Sequence, residues 1–283
     1  MSQDIKTEEP KVKEGEGFLR RLFDRIDPSA GDTRSGSAGK STLDLGDIQG
    51  IILRGYRMPM VRHFLLSVGV PAAARKMLGR LVSGDEADAP QITTAEEWQV
   101  GLAPGPGDNP AEAPSHKPDY CLNLGITWPG LIALEIKNRV PSLSFKSFSS
   151  FMAGAAARAE FVGDTGASAP QNWVGGFGKG SDHVLVTLYA ISPEAMTSYS
   201  ERLSALFSED DAFREIWRTD GMALTELIDG KPAFTSRLHF GYTDGISMTT
   251  IRGGPVKYKP DHQQPCEPWL FVLQDGAENY TVP

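Results

Sequence analysis

One carboxylate, set between glycines, is the feature of this sequence best suited to chemistry. Asp244 lies in the run RLHFGYTDGIS at 237–247, with Gly241 before it and Gly245 directly after it. Glycine on both sides frees the backbone for positive φ and lets a flat ligand approach closely. A carboxylate held there can take a proton from a bound molecule and return it, which is general acid–base work. The same residues also make a plain Thr-Asp-Gly turn, in which Asp and Gly serve geometry alone. The residue types by themselves leave both readings open.

Other motifs fall short of a site. GKST at 39–42 resembles the end of a phosphate-binding loop, but that loop needs a glycine where Arg34 stands and a strand before it. GGFGKG at 175–180 lacks the dinucleotide spacing and reads as a flexible loop ahead of a strand. The histidines are His63, His116, His183, His239 and His262, and no two share the i, i+3 or i, i+4 spacing of a helical metal site. His63 and His183 open apolar strand-like runs, where a hydrogen-bonded structural histidine is expected. The run Gly245-Ile246-Ser247 lacks the closing glycine of a serine nucleophile turn, since Thr249 stands there. Cys121 and Cys266 make neither a disulfide framework nor a metal-ligand pair. No metal site is therefore expected from residues of this chain. Asn279-Tyr280-Thr281 is a glycosylation sequon that matters only in a secreted protein.

The bulk of the chain narrows the class. A net charge of −8 argues against nucleic acid as a partner. A hydrophobic fraction of 40% and a charged fraction of 23% suit an ordinary globular fold. No apolar run approaches the ~18 residues of a membrane span. The charged opening MSQDIKTEEPKVKEGEG has no signal core, so the cytoplasm is the expected compartment.

The elements that must position Asp244 can be read from periodicity. Residues 1–42 are expected to be a flexible arm, charged and then rich in Gly, Ser and Thr. Within it, Phe18, Leu19, Leu22, Phe23 and Ile26 recur at helical spacing, giving a short amphipathic helix over 17–27. The globular part, 43–283, alternates strand and helix. RHFLLSVGV (62–70), YCLNLGIT (120–127) and HVLVTLYAI (183–191) read as strands. PAAARKMLGRLV (71–82), WPGLIALEI (128–136), FKSFSSFMAGAAARAEF (145–161) and PEAMTSYSERLSALF (193–207) read as helices, three of them with an early proline. Weaker strand signals lie near 213–226 and 233–240, and a Pro/Gly-rich loop fills 101–118. This order predicts an α+β fold, most simply a ferredoxin-like, split βαβ antiparallel sheet with helices packed on one face.

The HFGYTDGIS segment resembles the GxxDG signature of dye-decolourising haem peroxidases, with Gly241, Asp244 and Gly245 at its fixed positions. LGDIQGIILRGY (45–56) is similar to that family's opening, and NLGITWPGLIAL (123–134) to its first strand–helix junction. FMAGAAARAEFVGDTGASAPQNW (151–173) is similar to its next helix and loop. The likeness spans roughly 43–283, and the long arm looks most like the family's bacterial forms. The resemblance implies one half of a two-half, dimeric α+β barrel architecture. Haem b would be held by the other half, with Gly241, Gly245, Ile246 and Ser247 covering its distal face. Asp244 would then be the distal acid–base residue that moves a proton between the two peroxide oxygens. An ordinary aspartate titrates near ~3.9, so an acidic optimum is implied.

The family's proximal histidine and distal arginine lie well beyond GxxDG, and this sequence ends at Pro283. His262, in the Pro-flanked run KPDHQQP, has no helix to hold it under a haem and is a poor candidate for the axial ligand. A separate polypeptide is therefore the expected partner, supplying the haem-ligating half of a hetero-oligomer that uses hydrogen peroxide and an organic reductant. The alternatives are a non-enzymatic interaction module and an inactive, truncated half. Trp128, Trp173, Trp217, Tyr242 and Trp269 could relay electrons, but read more simply as core or loop aromatics.

Overall fold

A computed structural model describes residues 45–53, 55–56, 58–83, 89–100, 118–136, 149–228, 231–235 and 237–242. The arm 1–42, its short helix at 17–27, the loop 101–117 and everything after Tyr242 lie outside the described residues.

The elements follow in chain order. After a 3-10 turn at Leu45–Asp47 come α1 (Gly50–Leu53), β1 (Met60–Val68), α2 (Pro71–Arg80), α3 (Ala95–Val100), β2 (Tyr120–Ile126) and α4 (Trp128–Ala133). Next are α5 (Ser149–Ala157), α6 (Ala159–Val162), β3 (Val184–Ala190), α7 (Pro193–Ser208), β4 (Phe213–Met222), β5 (Thr225–Ile228) and β6 (Lys231–Phe234).

The main sheet has the order β2-β3-β1-β4, every neighbour antiparallel. β3 enters between β1 and β2, which is the split βαβ closure expected from the element order. Alternate residues divide the two faces. Phe64, Leu66, Leu122, Val184, Val186 and Leu188 point to one face and pack against Met77 and Leu78 of α2 and Leu203 and Phe207 of α7. The Phe64 and Phe207 rings meet edge to face at 5.4 Å. α7 has sixteen residues because Ser192 caps it, accepting from the Ala195 N–H, and because proline occupies its first turn. α4 is capped by Thr127, which accepts from the Gly130 N–H at 3.1 Å.

The β2 edge is sealed by side chains. The Gln49 amide pairs with Leu124 like a strand, donating to its carbonyl at 2.9 Å and accepting from its N–H at 2.8 Å. Thr93 treats Leu122 the same way, its N–H donating to the Leu122 carbonyl and its hydroxyl accepting from the Leu122 N–H.

Three expectations need correction. The continuous helix over 145–161 is broken: Gly154, inside α5, has φ 75° and ψ 171°, α6 is separate, and Phe151 and Ala155 are exposed. A glycine inside an alanine-rich run let the chain take a backbone conformation that other residues rarely adopt. The helix expected over 128–136 ends at Ala133, because Glu135 takes a positive φ of 57° and its neighbour Leu134 turns into the core. The strand expected over 233–240 stops at Phe234, and a turn follows.

Candidate functional site

The hairpin β5–β6 delivers the chain to the glycine-flanked segment. Its register pairs Thr225 with Phe234 and Ile228 with Lys231. The Thr235 N–H donates to the Leu224 carbonyl at 2.8 Å, and Arg237 pairs with Glu226 at 3.2 Å. The next residues close a tight turn: the Gly241 N–H donates to the Leu238 carbonyl at 2.9 Å, and the Leu238 N–H to the Tyr242 carbonyl at 2.7 Å. Gly241 has φ 86°, a conformation other residues rarely adopt, and no neighbour within 4 Å of where a side chain would start. Backbone conformation, not crowding, therefore requires glycine there.

The turn carries large apolar side chains into solvent. Phe240 is 87% exposed and Tyr242 is 73% exposed, with Leu238 beside them and His239 also at the surface. Single exposed apolar residues are common, and here three, Leu238, Phe240 and Tyr242, fall at alternate positions of one short segment. Asp244, Gly245, Ile246 and Ser247 lie outside the described residues, as do His116, His262, Cys266 and Trp269.

Elsewhere the chemistry-bearing groups are tied into the fold. His183 accepts from the Val68 N–H at its Nδ1 (2.9 Å), so its Nε2 carries the proton and donates to the Gly180 carbonyl (3.0 Å). Both ring nitrogens of this imidazole are thus spent on holding the backbone. The Gly-rich loop 175–180 spends the N–H groups of residues 177–180 internally. Gly178 and Gly180 donate to the Asp182 carboxylate at 3.2 and 3.1 Å, which leaves an anion no welcome there. Gly175 lies over the Trp217 ring, and Phe177 meets the same ring at 5.2 Å. Trp173 donates its indole N–H to the Ser168 carbonyl, and Trp128 is half-buried. Cys121 is buried, and burial pushes its thiol up to about 12, so it is no nucleophile. Among the described residues no three His, Cys, Asp or Glu side chains converge as a metal site. No described helix is long and apolar enough to cross a membrane.

Strand register brings together one group that the linear sequence hides. Asn123, Thr187, His63 and Thr219 stand opposite one another on β2, β3, β1 and β4, on the face away from α2 and α7. His63 Nδ1 lies 3.0 Å from the Thr187 hydroxyl, and burial lowers its pKa. The charged neighbours, Arg62 and Asp220, turn to the other face, where Arg62 also reaches Ser200 of α7. Period-two alternation in β1 contained this information, but the pairing of four separate strands did not.

The described residues thus form a ferredoxin-like α+β sheet whose last hairpin leads into a Gly-x-x-Asp-Gly segment. No family model matches the chain. Its sequence is similar to a dye-decolorizing peroxidase of Mycena epipterygia, 24% identical over 236 residues that make up 83% of this chain and 38% of that one. Its structure is similar to an ancestral D-type dye decolorizing peroxidase, with a TM-score of 0.61 and 25% identity over 81% of this chain and 44% of that one. A dye-decolorizing peroxidase in complex with cyanide superposes with a TM-score of 0.62 over 85% of this chain and 46% of that one, at 21% identity. A fungal peroxidase of this type from Auricularia auricula-judae gives 0.56 at 19% identity, over 77% of this chain and 40% of that one. The chain resembles dye-decolorizing peroxidases, then, and spans less than half the length of each. The likeness is not confined to the bacterial forms that the arm suggested.

Proposed function

We propose that this chain is the distal-side half of a haem peroxidase of the dye-decolourising type, with residues 43–283 as the folded half and 1–42 as an arm. The observation that carries the reading is the coincidence of two likenesses over the same stretch: sequence similarity through 83% of the chain and the matching sheet. The turn at Gly241 supports it. Its positive φ and side-chain-free surface, flanked by exposed Phe240 and Tyr242, suit close approach of a flat apolar ligand.

In this reading Gly241, Gly245, Ile246 and Ser247 would lie against haem b, and the histidine and arginine that complete its site would come from the other half of the two-half architecture. The haem, when bound, supplies the redox chemistry. Asp244 takes a proton from one oxygen of hydrogen peroxide and returns it to the other, which weakens the O–O bond. An organic reductant would supply the electrons that reduction of the peroxide consumes.

Coexpression with a polypeptide that carries the haem-ligating half tests the proposal. Haem should bind in the complex and give a Soret band. Asp244→Asn in that complex should keep the band and slow the reaction with hydrogen peroxide by about 10²- to 10⁴-fold, the usual worth of a positioned acid–base. Firm haem binding by the 283-residue chain alone would overturn the split arrangement. A variant reacting at the unaltered rate across acidic pH would remove Asp244 from the chemistry.

A further inference from the structure

Methionine thioethers react with peroxide in proportion to their exposure, and the described methionines of this chain differ sharply in exposure. Met58, Met77 and Met196 are buried, and Met60 and Met152 are partly covered. Met222 is 62% exposed. It ends β4, directly across from Met60 on β1. Cross-strand partners of this kind have Cβ atoms about 4.5–5.5 Å apart. Met60 packs against the core, so the pair runs from the surface inward with Met222 outermost. The strand end is held in place, since the Ala223 N–H donates to the Pro59 carbonyl at 2.8 Å. Leu227, Leu238, Phe240 and Tyr242, later in the chain, are exposed as well.

We propose that Met222 is a peroxide-sensitive modification site. Its sulfur attacks one oxygen of hydrogen peroxide and the O–O bond breaks. The sulfur keeps that oxygen as a sulfoxide, and the other oxygen leaves as water with both protons. The thioether is oxidised by two electrons and the peroxide is reduced by two. The product is polar and chiral, so an exposed apolar side chain at the end of β4 becomes a strong hydrogen-bond acceptor. The chemistry needs only peroxide, and so stands apart from whether Asp244 acts on a haem.

The test treats the folded full chain with hydrogen peroxide and maps oxygen uptake by peptide mass spectrometry. Met222 should gain one oxygen ahead of Met58, Met60, Met77, Met152 and Met196, with the buried Met77 and Met196 last. Met222→Leu should lower the early uptake by one oxygen per chain while the far-UV spectrum stays unchanged. Oxidation of any of those five before Met222, or an unchanged early uptake in Met222→Leu, would overturn the assignment.

Discussion

Gly130 is the position where one methyl group should do most harm. It is buried at the start of α4, and a Cβ built on it would lie 2.1 Å from the His183 carbonyl oxygen. The obstacle is backbone, at the mouth of β3, so it cannot swing aside as a side chain would. Relief requires α4 to withdraw by about an ångström, since ordinary contacts need well over 3 Å. That movement would stretch the Thr127 N–H bond to the His183 carbonyl, now 3.0 Å, and the Thr127 hydroxyl bonds to Asp182 and His183. Overpacking of this kind costs about 1–3 kcal/mol, and a lost half-buried hydrogen bond adds about 1 kcal/mol. Gly130→Ala should therefore destabilise the chain by about 3 kcal/mol, lowering its melting temperature by roughly 6–12 °C. Gly55→Ala is the matched control. Nothing lies within 4 Å of its Cβ position and its φ is ordinary, so it should be neutral or gain up to about 1 kcal/mol through the unfolded state. Urea denaturation followed by far-UV circular dichroism measures both. Equal midpoints for the two variants would show that α4 does not rest on the end of β3 as described.

Two pH effects can be checked alongside it and the Asp244 variant. Burial lowers the pKa of His63, so the unfolded chain takes up a proton first as pH falls through about 6.5. Stability from this residue is full above that pH and declines below it until the folded imidazole also protonates. His63→Gln should flatten the change in melting temperature between pH 7.5 and 5.5, and a slope identical to wild type would exclude His63 as its source. Asp220 is held below the usual carboxylate range by hydrogen bonds from Arg62, at 2.7 and 2.6 Å. Its contribution is present above pH ~4 and lost as acid titrates the folded carboxylate. Because Asp220 is largely exposed, Asp220→Asn should cost at most about 1 kcal/mol near neutral pH and less at acidic pH. A larger loss at pH 3 than at pH 7 would contradict that ordering.

Much of the fold was legible in local pattern. The strands at 62–70, 120–127 and 183–191 appeared within two residues of expectation, because a short apolar run bounded by polar or turn residues leaves few other solutions. α7 was equally plain: its apolar residues Met196, Tyr199, Leu203, Leu206 and Phe207 recur at helical spacing. α3 was missed although its signal was present. Thr94 and Glu97 form a reciprocal capping box, the Glu97 carboxylate accepting from the Thr94 N–H at 2.7 Å and the Thr94 hydroxyl from the Glu97 N–H at 3.2 Å.

The sequence alone determined the order of the four main strands and the long helices and the glycine-flanked aspartate, since each of these is a property of neighbours along the chain. It also carried enough likeness to point to a peroxidase family. Only the tertiary structure decided the row of Asn123, Thr187, His63 and Thr219, the sealing of β2 by Gln49 and Thr93, and the break at Gly154. Contacts of that kind join residues tens of positions apart, and their energy is settled by strand register and packing. Local propensity is too weak to fix either, so the same residues become a site or a scaffold only when the sheet closes.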